Sequence, residues 1–291
     1  MNGKILVIFA ALGWSALGTM ILLLPEAFSP QAVSAVRGLW IAGFFLTASF
    51  MRKNLPRVNL PVVIAGIAYA LSAFTYIASL LLVPVAMAAP LHYTSPVFLV
   101  LGLAFVRKKF PGAVELCGVL LGLSGSLILI SSGDASSLLG IAHALVSAIL
   151  WAVYLVVQKL LSVDERNHAA FYGGMFMALG GLAWVPTTGW SSGSVASLIV
   201  IGVFCSVLPL YLLARGSASV SSTSASLILL LEPAFAAALA LIVHGQMPSP
   251  NELTGLVLIV LGAGCGSAVS ATGPLRGIFK LPMGIRLQKL I

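Results

Sequence analysis

Ten apolar stretches of about twenty residues dominate the sequence, and short polar or Pro/Gly-containing segments separate them. About twenty apolar residues in a helix are enough to cross the hydrocarbon core of a bilayer. The pattern therefore predicts an all-α integral membrane protein with ten transmembrane helices. The predicted spans are residues 4–24, 31–51, 60–82, 85–106, 113–131, 138–160, 168–186, 193–214, 222–243 and 252–270.

The composition excludes an ordinary soluble domain. The 291 residues are 60% hydrophobic and 8% charged, with a mean hydropathy of +1.11, so most of the chain must lie in lipid. The three cysteines fall in apolar spans and indicate no disulfide framework. No metal-binding motif is present in the sequence, so we expect no metal and no cofactor. The net charge of +8 does not indicate a nucleic-acid partner, because the basic residues are scattered between apolar spans.

The basic residues predict the orientation of the chain in the membrane. With the N terminus inside, alternate loops and the C-terminal tail contain every one of the 15 Lys and Arg residues except Arg37, and the outer loops contain none. Loops rich in Lys and Arg stay on the cytoplasmic side. We therefore expect both termini to be cytoplasmic in a multi-pass protein of the inner membrane.

The two halves of the chain repeat each other at one constant offset in residue number, without a gap. The offset pairs Trp14 with Trp151, and it pairs Ser95 with Glu232, each of which is followed by proline. Each half has five predicted spans, and an odd number of spans inverts the second half relative to the first. Two inverted five-helix repeats are the architecture of alternating-access transporters, in which the substrate site lies near the midplane at the repeat interface.

This repeat divides the chain into three predicted segments. Residues 1–137 form the first repeat and residues 138–270 form the second, inverted repeat. Residues 271–291 form a basic tail that we expect to lie on the cytoplasmic membrane surface. One chain already contains both repeats, so we expect a monomer to be functional.

Two charges lie deep inside the predicted spans, away from the span ends. Glu232 is near the middle of the ninth span, where a carboxylate is costly unless it faces a wet cavity or a partner. It is predicted either to bind a substrate amine or a coupling proton, or to be a structural carboxyl that bonds to broken helix backbone. Arg37 in the second span is suited to a substrate carboxylate or to snorkelling towards headgroups, and we favour a structural role, with a carbonyl or Glu232 as its partner.

Other polar and aromatic residues deep in the spans are candidates for the lining of a central cavity. Interfacial belts of Trp and Tyr explain Trp184, Trp190 and Tyr69, but not aromatic residues at mid-depth. The complete set of predicted lining residues is Trp14, Tyr76, His92, Tyr93, Ser95, Trp151, Tyr154, Gln158, Tyr211 and Glu232.

Prolines inside the predicted spans indicate breaks in the helices. A proline has no N–H and leaves the carbonyl four residues earlier without its usual helical partner. In lipid that carbonyl needs a neighbouring side chain or a watered cavity. The predicted breaks are at Pro90, Pro96, Pro209 and Pro233.

Several of these segments resemble a known family. Residues 225–240 (ASLILLLEPAFAAALA), the early Gly13-Trp14-Ser15 and Arg37 are similar to the EamA half-repeat of the drug/metabolite transporter superfamily. The resemblance covers residues 1–270, and it implies ten helices in two inverted repeats around a central cavity. It also implies movement of small metabolites, often export of amino acids across the bacterial inner membrane. The chain departs from the family after the fourth and ninth spans, where the usual Gly-Glu is absent.

The sequence thus predicts a secondary transporter of small metabolites that exports or exchanges amino acids by alternating access. A passive facilitator or channel for small polar solutes remains an alternative. An integral-membrane enzyme is disfavoured, because the seven acidic residues form no paired catalytic site within the spans.

Overall fold

The computed structural model describes residues 2–83, 85–107, 110–131, 137–244, 247 and 249–268. The regular secondary structure of these residues is helical, and they contain no β-strand. The predicted tail at 271–291 lies outside the described residues. The first half contains α1 (Gly3–Ser15), α2 (Leu17–Leu22), α3 (Pro30–Met51), α4 (Leu60–Leu82), α5 (Val85–His92), α6 (Ser95–Arg107) and α7 (Ala113–Ser131). The second half contains α8 (Leu138–Val157), α9 (Val163–Gly181), α10 (Ser192–Gly202), α11 (Leu208–Gly216), α12 (Ser222–Leu229), α13 (Leu231–His244) and α14 (Pro250–Ala268).

Helices long and apolar enough to cross a membrane account for seven of the predicted spans within the described residues. Three predicted spans fall short of this length and hydropathy. Two of them correspond to α7 and α14, whose apolar parts are shorter, and the third corresponds to α9, whose first turn is charged. The helical membrane protein is therefore established, and the full count of ten crossings stays a prediction. The seven stretches are Gly3–Ile21, Pro30–Met51, Leu60–Leu82, Ala88–Phe105, Leu138–Leu160, Ser192–Gly216 and Ser222–Leu239.

Short polar side chains begin several of these helices. Ser29, Asn59, Ser162 and Ser191 each accept a hydrogen bond from a backbone N–H in the first turn of α3, α4, α9 and α10, respectively. Such a cap satisfies one of the N–H groups that has no partner inside the helix. The polar residues between the apolar stretches thus determine where the helices start.

Several predicted spans are not continuous α-helices: the first is interrupted at Ala16, between α1 and α2, and two others have breaks that match in the sequence repeat. The fourth span is interrupted at Tyr93 and Thr94, between α5 and α6, and the ninth is interrupted at Leu230, between α12 and α13. Pro96 and Pro233 lie in the first turn of the helix that follows each break, where a missing N–H costs least. Because the repeat offset pairs Tyr93 with Leu230, the two breaks fall at equivalent positions of the sequence repeat.

The two remaining prolines differ in their effect. Pro209 lies at the start of α11, directly after a π-helical segment, Val203–Val207, that connects α10 to α11. A π-helical turn widens the backbone and is found disproportionately at functional sites. Pro90, which the sequence also predicted as a break, lies inside α5 without interrupting it.

Glycines allow two pairs of helices to approach closely. A Cβ atom on Gly38 of α3 would lie 2.5 Å from the Gly174 carbonyl oxygen of α9. A Cβ atom on Gly118 of α7 would lie 3.2 Å from the Gly262 carbonyl oxygen of α14. Small residues at such contacts let helix backbones pack together in lipid, where van der Waals contact replaces the hydrophobic effect as the main attraction.

The outer surface of the helices is apolar. Large exposed side chains include Phe50, Leu101, Phe105 and Ile242, which are between 60% and 87% exposed. A soluble monomer rarely exposes so much contiguous apolar area. This surface is the one expected to face lipid chains.

Candidate functional site

A cavity lies among the helices of both halves of the chain. It encloses about 500 Å³ of empty space, including its open mouth, and its walls come from α1 to α5, α8, α12 and α13. Both charged residues predicted inside the spans belong to its lining. The lining residues are Trp14, Leu17, Arg37, Tyr69, Ser72, Ala73, Tyr76, His92, Tyr93, Trp151, Leu229 and Glu232.

Packed aromatic rings form one wall of the cavity. The rings of Trp14 and Trp151 meet edge to face, with centroids 5.4 Å apart. Trp151 also stacks on Tyr154, at 5.1 Å, and Tyr154 contacts Tyr69 at 5.4 Å. Edge-to-face and offset contacts of this kind stabilise aromatic pairs beyond the area that they bury. These rings therefore form a rigid wall whose members hold one another in place.

His92 lies at the end of α5, directly before the break, and neighbouring side chains hold its ring. Its Nδ1 atom is hydrogen-bonded to Ser147 Oγ of α8, and its ring centroid lies 4.7 Å from that of Tyr76. Ser72 Oγ donates to the Ser147 backbone oxygen at 2.9 Å. These bonds join α4, α5 and α8 at one edge of the cavity.

Glu232 lies in the first turn of α13, beside the break at Leu230. The side chain of Tyr93, from the equivalent break in the first half, lines the same cavity as the Glu232 carboxylate. A carboxylate at a helix N-terminus also benefits from the positive end of the helix dipole. The two broken helices thus bring a phenol and a carboxylate together inside the cavity.

Arg37 is only 3% exposed, although it lies within a membrane-spanning helix. Its Nε atom donates to Ser206 Oγ at 2.9 Å, and Ser206 belongs to the π-helical segment. Its Nη1 atom is buried without a hydrogen-bond partner. The guanidinium therefore neither snorkels to the headgroups nor bonds to a carbonyl, and no ion pair joins it to Glu232, which the structure also describes.

Six of the ten predicted lining residues are in the cavity wall, and four are elsewhere. Ser95 is buried in the first turn of α6, and Tyr154 lies behind Trp151. Gln158 is fully buried at the end of α8. Tyr211 contacts Phe44, and the guanidinium of Arg215 lies over its ring at 5.0 Å.

The sequence did not identify Tyr69, Ser72 and Ala73 of α4 as lining residues. Tyr69 was assigned to an interfacial belt, but it is 3% exposed and lines the cavity together with Ser72, Ala73 and Tyr76. These residues are three, four and seven positions from Tyr69, which places them on one face of the helix. Polar side chains repeated at this spacing in an apolar span are the sequence pattern that would have predicted a cavity-facing side of α4.

A second buried polar cluster contains Lys159 and Arg166. Lys159 follows Trp151 along the chain by about 12 Å, at a helical rise of about 1.5 Å per residue. Lys159 Nζ donates to the backbone oxygens of Ser217 and Val220. Arg166 is 4% exposed, and its guanidinium donates to the Ala214 oxygen at 3.1 Å. Both cations therefore hold the connection between α11 and α12, where the carbonyls at the end of α11 favour positive charge.

Glu165, in the charged first turn of α9, lies outside the apolar part of that helix. Partial burial tends to raise the pKa of its carboxyl group, but hydrogen bonds from Ser162 N–H, Ser162 Oγ and Asn59 Nδ2 have the larger combined effect and lower it. The described residues contain no group of three or more His, Cys, Asp or Glu side chains suited to a metal ion.

Apolar helices that cross a bilayer and enclose a partly polar cavity define a multi-pass membrane protein. The chain belongs to the EamA-like transporter family, because the family model matches residues 1–131 and 138–265. The resemblance drawn from residues 225–240 is thus confirmed. The family points to a transporter rather than an enzyme.

Two further similarities agree with this assignment. An uncharacterized transporter of Clostridium kluyveri is 25% identical to this chain over 192 residues, which are 60% of this chain and 61% of the relative. The match therefore spans less than two thirds of the length of that relative. A protein of known crystal structure shares the fold, with a TM-score of 0.75, 20% identity and coverage of 91% of this chain and 96% of that chain.

Proposed function

We propose that this protein is a secondary transporter of small metabolites in the bacterial inner membrane, and that it exports or exchanges amino acids. The observation that carries the proposal is the position of Glu232. Its carboxylate lies at a break in a membrane helix and lines a cavity that both halves of the chain form. An acidic group inside a membrane cavity suits the amino group of a substrate or a coupled proton.

The proposed architecture has ten helices in two inverted repeats. Its support is the recurrence of helix bounds at the offset of the sequence repeat. Val85 and Ser222 begin α5 and α12, and Ala113 and Pro250 begin α7 and α14. In this arrangement α7, α9 and α14 also cross the membrane, each packed against a longer or equivalent helix. One chain then supplies the complete site, and a monomer suffices.

The proposed mechanism is alternating access with both termini in the cytoplasm. Lys159 lies just after α8 and Arg166 lies near the start of α9, at a helix junction that the distribution of basic residues assigns to the cytoplasmic side. In this conformation these cations tie α8 and α9 to the connection after α11. Opening the cavity towards the cytoplasm then requires that these hydrogen bonds break.

Counterflow in proteoliposomes tests the proposal directly. Vesicles preloaded with unlabelled amino acids are expected to accumulate the labelled amino acid transiently, because a carrier couples the two movements. Glu232→Gln is expected to reduce this exchange by about tenfold or more, the effect of removing one charged contact to the substrate. The exposed carboxylate variant Glu26→Gln is the matched control, and it is expected to leave exchange unchanged.

Three outcomes contradict parts of the proposal. Flux of amino acids without counterflow indicates a channel or passive facilitator. Exchange of other solutes, but of no amino acid, contradicts the assigned substrate class and still supports a carrier mechanism. Exchange that is equal in Glu232→Gln and in the unmodified protein reduces Glu232 to a structural residue.

A further inference from the structure

Arg37 is a buried cation whose hydrogen-bonding capacity is only partly used. Its Nε atom is satisfied by Ser206 Oγ, whereas its Nη1 atom has no partner and the side chain lines the cavity. A buried polar group without a partner costs free energy, and a charged one costs more. An acceptor group on a ligand in the cavity would satisfy this atom.

The chain builds this arrangement through Pro209. Because Pro209 lacks an N–H, the turn before it has no regular α-helical bond at that position, and the backbone widens into the π-helical segment Val203–Val207. Ser206 in this segment donates to the Ile201 oxygen at 2.7 Å and accepts from Arg37 Nε. The hydroxyl is thereby fixed, and it orients the guanidinium from one edge.

The sequence repeat places only one charge of each sign in the cavity. At the repeat offset Arg37 is equivalent to Gly174, and Glu232 is equivalent to Ser95. Gly174 packs against α3, where an added Cβ atom would lie 2.6 Å from the Ala42 nitrogen, so no cation fits there. The positive charge therefore comes from the first half and the negative charge from the second.

These two charges line one cavity and interact electrostatically without a direct ion pair. Arg37 and Glu232, both within the described residues, form no ion pair, although both contribute to the same cavity lining. A ligand that carries a cation at one end and an anion at the other would satisfy both groups at once. A ligand with the amino group alone would leave Arg37 unpaired.

We propose that Arg37 binds the carboxylate of the transported molecule and makes the site specific for zwitterions over the corresponding amines. The proposal rests on the proposed function for Glu232 and the cavity. Guanidinium groups suit carboxylates because their parallel N–H donors match the two carboxylate oxygens. Ser206 is then a positioning residue that acts through Arg37.

Ligand binding to the purified full-length protein tests the proposal without requiring transport. Tryptophan fluorescence is a suitable readout, because Trp14 and Trp151 line the cavity. The probes are L-leucine, its deaminated analogue isocaproate and its decarboxylated analogue isoamylamine, with the same three forms of alanine and phenylalanine. We expect the unmodified protein to bind an amino acid at least about tenfold more tightly than the matching amine.

Substitutions at Arg37 are expected to remove this preference selectively. Arg37→Gln should weaken binding of the amino acid by about tenfold or more and should not weaken binding of the amine, because the substitution removes a like charge from the cavity. Ser206→Ala should weaken it less, and Arg37→Lys should restore part of the preference by keeping the charge. Arg52→Gln, an exposed cation at the other end of α3, is the matched control and should bind as the unmodified protein does.

The outcomes separate this inference from the proposed function. The role of Arg37 is overturned if Arg37→Gln binds the amino acid as tightly as the unmodified protein does. It is also overturned if the variant loses the same factor of affinity for the amino acid and for the amine. Either result overturns it even where exchange of amino acids is intact. The absence of binding by any carboxylate of the panel also overturns it. Binding of isocaproate that depends on Arg37, without exchange of any amino acid in vesicles, supports the anion site and contradicts the proposed function.

Discussion

The indole ring of Trp14 meets the indole ring of Trp151 edge to face, with centroids 5.4 Å apart. The two residues occupy the same position in the two halves of the sequence repeat. Residues at equivalent positions of an inverted repeat meet where they lie close to the pseudo-two-fold axis. In the proposed inverted-repeat arrangement, the contact would therefore lie close to that axis.

A double-mutant cycle is expected to reveal coupling between Trp14 and Trp151. Trp14→Leu and Trp151→Leu should each destabilise the protein, and the pair should show a coupling free energy of about 0.5–1.5 kcal/mol, as for other aromatic contacts. Thermal unfolding in detergent provides the measurement. Trp14→Leu combined with Trp190→Leu is the control, because Trp190 packs on Phe28 instead, and its effects should be additive. Additive effects in both cycles would show that the indole contact contributes no coupling energy.

Gly38 is expected to tolerate no side chain. Gly38→Ala would place a Cβ atom 2.5 Å from the backbone of α9, so the helices must separate, at a cost of about 1–3 kcal/mol. Gly43→Ala on the same helix is the matched control, because nothing lies within 4 Å of the position that its Cβ atom would occupy. The melting temperatures of the two variants in detergent measure the difference. Equal melting temperatures would contradict a close contact of α3 with α9.

Arg166→Gln is expected to loosen the connection between α11 and α12. The guanidinium donates to the Gln158 and Ala214 oxygens, and each charged hydrogen bond lost costs about 1.5–3 kcal/mol. We expect a lower melting temperature and faster modification of a cysteine introduced at Ser217, which is 2% exposed in the unmodified protein. The same cysteine in an Arg52→Gln background is the control. An unchanged rate of modification would show that Arg166 does not keep this end closed.

Glu165 is expected to stabilise the start of α9 only while its carboxyl group is ionised. Its pKa is lowered in the folded protein, so its contribution is fully present above the unfolded pKa, about 4.3, and is lost as the pH falls through the lower folded value. Glu165→Gln keeps hydrogen-bonding capacity without a charge. The difference in melting temperature between the two proteins should be constant from neutral pH to about pH 5 and should shrink below about pH 4. A constant difference down to about pH 3 would contradict this assignment.

The apolar pattern predicted the helices well, because span length and hydropathy are local properties of the chain. The prolines were less uniform as signals: Pro96 and Pro233 lie just after breaks in their spans, whereas Pro90 lies inside a continuous helix. The pattern also assigned Tyr69 to the membrane surface. A tyrosine near the end of a span gives the same sequence pattern whether it faces headgroups or the protein interior. Only its contacts with neighbouring helices distinguish the two locations.

The identity of the cavity residues was partly readable from the sequence. Glu232 and Trp14 were identifiable because a charge at mid-span and a repeated tryptophan at mid-depth are both unusual in lipid. Tyr154 and Gln158 were misplaced, because position along a helix gives depth but not which neighbour covers a given face. Tyr154 lies behind Trp151, and the Gln158 backbone oxygen accepts a hydrogen bond from Arg166 in a separate polar cluster.

The sequence by itself determined that the protein is a helical membrane protein and that it belongs to its transporter family. Those properties follow from local hydropathy and from residues compared along one chain. Only the tertiary structure decided that Arg37 is held by Ser206 rather than by Glu232. Arg37 and Ser206 are 169 positions apart, and their contact depends on how α3 packs beside the π-helical segment before Pro209. Long-range packing of this kind leaves no periodic signal in the sequence, because it is the sum of many contacts made by other residues.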